Sequence, residues 1–307
     1  MIIKRNILHI YLLAILIINS AFIPECTPNT LRAKQKNYKL KDPSEIFKLK
    51  KSLSEISGIS FVSDTIVALI QDEKGEIFFL NLFKDSIVGK EKFAKEGDFE
   101  DLKILGDTAY MLRSDGKLYE LKEFENDTNL TKAIKINTGL KKENNTEGLC
   151  WDDKRKLFLI ACKGSPDYKT DYKGKKAIYT FDPVTNKLSE KADMLIDERQ
   201  IEKFAYSKNK NFVQQLMKFY VHNSKEVFEP SGIAIQPFSR DIYVISSVGK
   251  ILVILDKAGQ IKEVIRLPGS IFKQPEGIAF DSQGNLYISN EGRKGKGDIL
   301  KFNYQKI

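Results

Sequence analysis

The sequence predicts an all-β chain folded as a single β-propeller of about five four-stranded blades, with an N-terminal strand closing the last blade and one helical or irregular insertion. Three observations predict it: a phrase that recurs five times, a meander of apolar runs behind each copy, and a last copy that ends one strand short. The phrase reads Glu55-Ile-Ser-Gly-Ile-Ser-Phe61, Asp98-Phe-Glu-Asp-Leu-Lys-Ile104, Asn145-Thr-Glu-Gly-Leu-Cys-Trp151, Glu229-Pro-Ser-Gly-Ile-Ala-Ile235 and Gln274-Pro-Glu-Gly-Ile-Ala-Phe280. Aligned on Ser57, Glu100, Glu147, Ser231 and Glu276, the copies lie 43, 47, 84 and 45 residues apart.

A second apolar run follows each phrase, as in Ile66 to Ile70 and Ile242 to Ile245, and then a third, as in Ile77 to Leu80 and Ile251 to Leu255. The turns between them are written with Asp-Glu-Lys-Gly, Ser-Asp-Gly, Asp-Lys-Ala-Gly and Asp-Ser-Gln-Gly, which supply positive φ where a hairpin needs it. The double spacing after the third copy would admit a sixth blade, but residues 197–228 lack the strand-turn-strand rhythm. Ile201, Phe204, Phe212, Leu216 and Phe219 fall nearer to helical spacing, so an insertion is expected there. The fifth copy runs out at Ile307 after three strands. Tyr38, Leu40, Ile46, Phe47 and Leu49 can supply the fourth from the beginning of the chain, leaving no exposed sheet edge.

The first residues read differently. Lys4 and Arg5 precede the apolar run Ile7 to Ile18, and Asn19, Ser20 and Ala21 follow, the pattern of an export signal over residues 1–21. The run is shorter than the ~20 residues a spanning helix needs, although an uncleaved anchor and lipidation at Cys26 stay open. Residues 22–35 read as a linker and 36–307 as the propeller. The expected setting is exported: periplasmic, cell-envelope or membrane-associated. Cys150 and Cys162 flank a tight turn and would not face each other in a hairpin, so two buried thiols are expected. The net charge of +9 is scattered, with no basic helix or base-stacking motif. Weak attraction to anionic membrane surfaces is expected, nucleic acid is not, and a monomer is expected.

The phrase opens the innermost strand of each blade, and the second strand returns to the same end. Glu100, Glu147 and Glu276 should therefore share one mouth of the channel, with Ser57 and Ser231 completing the ring. The ends of second strands add Asp72, Glu73, Asp115 and Glu291. Like charges at a narrow mouth stay ionised only beside a cation or paired Lys and Arg. His9 and His222 are the two histidines of the sequence, which excludes an imidazole zinc site. An all-oxygen ring suits calcium first and magnesium second, so Glu100, Glu147, Glu276, Glu291 and Asp72 are the expected metal ligands. A purely structural alternative has Glu-Gly marking a turn, with Arg113 and Lys163 as ion-pair partners. Ser57 and Ser231 lack a histidine or lysine signal for a hydrolase triad. Gly292 to Gly297 precedes a strand and is no phosphate loop.

The phrases Glu229-Pro-Ser-Gly-Ile-Ala-Ile235, Asp241-Ile-Tyr-Val-Ile-Ser-Ser247 and the run from Gln274 to Gly292 resemble the SdiA-regulated (YjiK-like) family, most closely over Phe228 to Phe302. The resemblance implies an envelope-associated bacterial propeller related in architecture to calcium-dependent phytases, with calcium binding in some members and no assigned substrate. Glu276 and Glu291 match its final phrase and Glu147 the Glu-Gly of blade three. Glu100 matches less well, because Asp101 stands where glycine is usual. Three functions fit these readings: cation binding with recognition of an unknown ligand or partner at the mouth, a calcium-dependent phosphoester or ester hydrolase, and a non-catalytic interaction scaffold. No organic cofactor is expected.

Overall fold

The computed structural model describes residues 37–124, 133–166, 172, 174–208 (main chain alone for 206–208), 227–293 and 295–306. The expected export signal over residues 1–21, the expected linker with Cys26, and residues 209–226 of the expected insertion lie outside the described residues. Strand β1 (Glu45–Lys48) comes first. Blade one follows as β2 (Ile56–Phe61), β3 (Ile66–Gln71), β4 (Glu76–Asn81) and β5 (Ser86–Lys92). Blade two is β6 (Phe99–Leu105), β7 (Thr108–Arg113), β8 (Lys117–Leu121) and β9 (Ile134–Asn137). Blade three is β10 (Thr146–Asp152), β11 (Leu157–Cys162) and β12 (Lys175–Asp182). Its outer layer is split between β13 (Lys187–Leu188) and β14 (Met194–Asp197), both paired with β12. Blade four is β15 (Pro230–Ile235), β16 (Ile242–Ser246), β17 (Ile251–Leu255) and β18 (Ile261–Arg266). Blade five has β19 (Pro275–Phe280), β20 (Leu286–Asn290) and β21 (Asp298–Phe302), and β1 is its fourth strand.

The closure expected from the sequence is realised. Strand β1 pairs antiparallel with β21, Glu45 opposite Lys301 and Lys48 opposite Asp298. Phe47 and Leu49 are buried by this pairing, and Tyr38 reaches further, its hydroxyl donating to the Gly284 carbonyl at 2.7 Å. The insertion begins as expected with helix α1 (Glu198–Lys208), whose Ile201, Phe204 and Ala205 pack on the layer between blades three and four. Cys150 and Cys162 are free and buried, opposite Leu159 and Thr146 in the β10–β11 ladder. Among the described residues no helix is long and apolar enough to cross a membrane.

The core is divided rather than single. Five apolar layers each fill the gap between one blade and the next, for example Val67, Leu69, Ala279 and Tyr287 between blades one and five. A chain of this length therefore buries its apolar surface without one oversized core. Neighbouring inner strands meet around the axis, β2 beside β6, then β10, β15, β19 and back to β2. They approach so closely that a side chain is excluded. A Cβ on Gly277 would lie 2.5 Å from the Ser57 carbonyl oxygen, and one on Gly232 would overlap the Glu276 carbonyl.

Blade two departs from that pattern, because Asp101 replaces the glycine. Its carboxyl fills the space beside Gly58 and is 2% exposed. It accepts from the Leu102 and Leu149 N–H groups at 2.8 and 2.7 Å, so one side chain fastens blade two to blade three while packing against blade one at Gly58. Gly277→Ala should lower stability by about 1–3 kcal/mol, the usual cost of forcing a methyl into packed structure. Gly269→Ala, whose Cβ would meet only Lys250 carbons at 3.5 Å and beyond, should be near neutral. Equal urea midpoints for the two variants would contradict this account of the axis.

Candidate functional site

Every inner strand carries a register irregularity at the same place. The ladder slips between Ile56 and Ile59, Phe99 and Asp101, Thr146 and Gly148, Pro230 and Gly232, and Pro275 and Ile278. Those slips enclose Ser57, Glu100, Glu147, Ser231 and Glu276, with Gly58 and Gly277 also inside the first and last. A bulge takes its residue out of the alternation and re-aims the side chain. The five positions equated in the sequence are thus structurally equivalent, and in four of them the residue one on is a glycine pressed against the neighbouring blade. Ser57 and Ser231 spend their hydroxyls on the backbone, donating to the Glu55 and Pro275 carbonyls at 3.3 and 2.8 Å. The glutamates face one another instead.

Glu100, Glu147 and Glu276 form the inner cluster around Lys163. Lys163 Nζ donates to Glu147 Oε1 at 2.9 Å, and Asn145 Nδ2 donates to the same oxygen at 3.1 Å. The Glu147 side chain is 6% exposed against 32% for Lys163, so the lysine covers the glutamate from the solvent side. Burial works against the Lys163 ammonium, but Glu147, Glu276 and Glu100 outweigh it and hold its pKa above the ordinary lysine value. Glu100 lies within hydrogen-bonding reach of Glu147, which requires one proton between the two carboxyls. Burial, then the field of Glu147, raises Glu100 far above the usual carboxyl range. Burial raises Glu147 as well, partly offset by Lys163. Burial, reinforced by Glu147, pushes Glu276 up to about 8.

Asp72 and Glu291 belong to a rim outside this cluster, together with Glu55 and Asp98. Asp72 is pushed up to about 6 by burial and by Glu55, Glu73 and Asp98. Its Oδ1 is buried with no hydrogen-bond partner among the described residues. Glu291 is within hydrogen-bonding reach of Glu55, and burial and that neighbour push it up to about 7. Gln274 ties rim to centre, donating through Nε2 to Glu291 and hydrogen bonding Glu276, while its Oε1 accepts from Arg293 Nε at 2.7 Å. Asp98 accepts from Ser114 Oγ at 2.5 Å.

All five residues expected as ligands therefore come to the mouth, in two linked groups. Asp115 does not join them. Arg113 grips it through Nε and a terminal nitrogen at 2.9 and 2.6 Å, and Lys117 also donates to it. Burial opposes its charge, but these bonds hold its carboxyl well below the usual range. Arg113 is thus spent on Asp115, and of the two cations considered from sequence Lys163 alone engages a glutamate. Glu55, Asp98 and Gln274 were not singled out, although each opens its own copy of the phrase, two residues before the bulge. That shared offset was the available signal. Among the described residues, no three of the Asp, Glu, His or Cys side chains converge with the spacing of a formed metal site.

The SdiA-regulated family model matches residues 33–293, whereas no curated protein matches. Among solved structures the chain is similar to Myxococcus xanthus glutaminyl cyclase, with a TM-score of 0.53 and 11% identity over 87% of this chain and 97% of that one. It is also similar to a chain of a nidogen/laminin complex, with a TM-score of 0.46 and 16% identity over 76% and 72%. At such identities the cyclase likeness speaks for the fold alone. The repeated phrase, the five blades and a family match running from before the closing strand almost to the last one agree: this chain belongs to the SdiA-regulated family.

Proposed function

We propose that this protein is exported to the cell envelope and that its channel mouth binds a divalent cation, calcium first, through which it recognises a ligand or partner without turnover. The observation that carries this reading is the buried Oδ1 of Asp72, which has no hydrogen-bond partner among the described residues and lies in the field of the Glu55, Glu73 and Asp98 carboxyls. A buried oxygen without a donor costs free energy that a cation would recover. The donors around it are all oxygens, as a hard cation requires. Asp72, Glu291, Glu55 and Asp98 would hold the ion. Glu276 joins them through Gln274, and Glu100 and Glu147 sit behind, already sharing the charge of Lys163. Calcium there would add positive charge to a rim whose Glu291 already feels Arg293.

Holding the ion requires the rim carboxyls to surrender the protons they share and to turn toward one point, so binding is linked to pH. The sign follows from the raised values. Between the ~4 of an unfolded carboxyl and about 6 for Asp72, 7 for Glu291 and 8 for Glu276, the folded chain holds protons that the unfolded chain has released. Stability in chelator should be fullest below pH ~4 and fall as pH rises through that window. Calcium should restore the melting temperature most at pH 8 and least at pH 5. Asp72→Asn should melt higher than wild type at pH 8 in chelator, yet lose the calcium response. A wild-type melting curve at pH 8 that ignores millimolar calcium would end the proposal.

A calcium-dependent phosphoester hydrolase is the second reading, and one feature favours it: the Glu100–Glu147 pair sets a protonated carboxyl beside an ionised one, as acid–base chemistry uses. The recognition reading expects no turnover on a panel of phosphomonoesters and phosphodiesters at any calcium concentration. Hydrolysis that needs calcium and vanishes in Glu147→Gln would replace it with the enzymatic one.

A further inference from the structure

The inner strands run from the acidic mouth to a second opening at the other end of the channel. Between the two ends the residue after each bulge glycine, or after Asp101, is apolar: Ile59, Leu102, Leu149, Ile233 and Ile278. All five are at most 3% exposed and form a collar around the axis. Beyond the collar lies a cavity of about 240 Å³ to which all five blades contribute. It reaches solvent beside Asp153, whose side chain is 48% exposed. Trp151, Ile235 and Phe280 make its walls, and Lys103, Arg240, Asp153 and Asp281 are its charged groups.

Three of those four charges are already satisfied. Arg240 donates to Asp152 at 2.8 Å and also pairs with Asp153. The Asp281 carboxylate caps its own hairpin, accepting from the Gln283 and Asn285 N–H groups at 3.0 and 2.7 Å and from Asn285 Nδ2 at 2.7 Å. Lys103 makes no hydrogen bond or ion pair among the described residues. The nearest acid on its own strand, Asp101, has both oxygens committed to backbone N–H groups; burial pushes it up to about 8, against those bonds and the field of Lys103. Among the described residues the cavity thus holds one cation without a hydrogen bond or ion pair, Lys103, beside the apolar side chains of Trp151, Ile235 and Phe280. Apolar side chains set beside a few placed polar groups are what small-molecule sites combine.

We propose that this end of the channel is a second site, distinct from the acidic mouth, which takes a small apolar monocarboxylate with its carboxylate on Lys103 Nζ and its body against Trp151, Ile235 and Phe280. The volume equals that of about eight waters at ~30 Å³ each, which limits the ligand to roughly ten non-hydrogen atoms. Phosphate esters and dicarboxylates are disfavoured, since one ammonium would leave their second charge unpaired near the Asp153 and Asp281 carboxylates.

Phenylacetate, with phenylacetamide as its uncharged isostere, is the probe. Ligand-observed NMR and calorimetric titration should show phenylacetate binding at least tenfold tighter than the amide. Lys103→Met should bring phenylacetate down to the level of the amide, while Lys103→Arg and the mouth variant Glu276→Gln should keep binding. Amine acetylation of the wild-type protein, mapped by mass spectrometry, provides a readout that needs no variant: phenylacetate should protect Lys103 and leave Lys163 labelling unchanged. Equal binding of acid and amide, undiminished binding by a folded Lys103→Met protein, or absence of Lys103 protection at saturating millimolar phenylacetate would each overturn the proposal.

Discussion

The structure depends on how closely five strands can stand around one axis. Backbone meets backbone there, so the chain needs a residue with no Cβ at the point of contact, and four blades place glycine at that point. The same contact breaks the ladder register one residue earlier and throws a side chain out of the sheet alternation. Close packing and the exposure of a carboxyl at the mouth are thus two results of one local geometry. This explains why the chemistry-bearing residue and the glycine travel together through the repeat. It also explains how blade two tolerates aspartate: the carboxylate of Asp101 replaces a backbone contact by two hydrogen bonds to neighbouring N–H groups.

Charge is distributed unequally along the channel. At the mouth, buried Glu147 and half-buried Glu100 and Glu276 gather around the Lys163 ammonium, and in the rim beyond them Arg293 hydrogen bonds Gln274 and its charge reaches Glu291. Burial and mutual repulsion keep protons on these groups at pH values where isolated carboxyls are ionised. The far end is built the other way, with its acids engaged by arginine or by hairpin N–H groups and one lysine left over. The apolar collar lies between, so the two ends are chemically separate.

Much of this was legible in the residues. Copies of one phrase state both the blade count and the equivalence of Glu100, Glu147 and Glu276, because a repeat that closes on itself converts sequence equivalence into spatial neighbourhood. The shortage of one strand after Phe302 and the surplus before Glu55 state the closure. The helical spacing of Ile201 and Phe204 states where the meander is interrupted. Less legible were the partners. Lys163 follows a second strand in blade three, where Asp72 and Glu291 follow theirs in blades one and five, and nothing in the spacing says that it turns inward to Glu147 while Arg113 turns aside to Asp115.

The sequence by itself determined the architecture, the end of the channel at which acids gather and the absence of a disulfide between Cys150 and Cys162, since periodicity and strand alternation control these. Tertiary structure decided which acids keep protons, which cation answers which carboxylate, and that Lys103 has no hydrogen bond or ion pair among the described residues. Those outcomes depend on distances of a few ångströms between side chains brought together from different blades. Electrostatic energy at such distances varies with burial and orientation, and neither is written in the order of the residues.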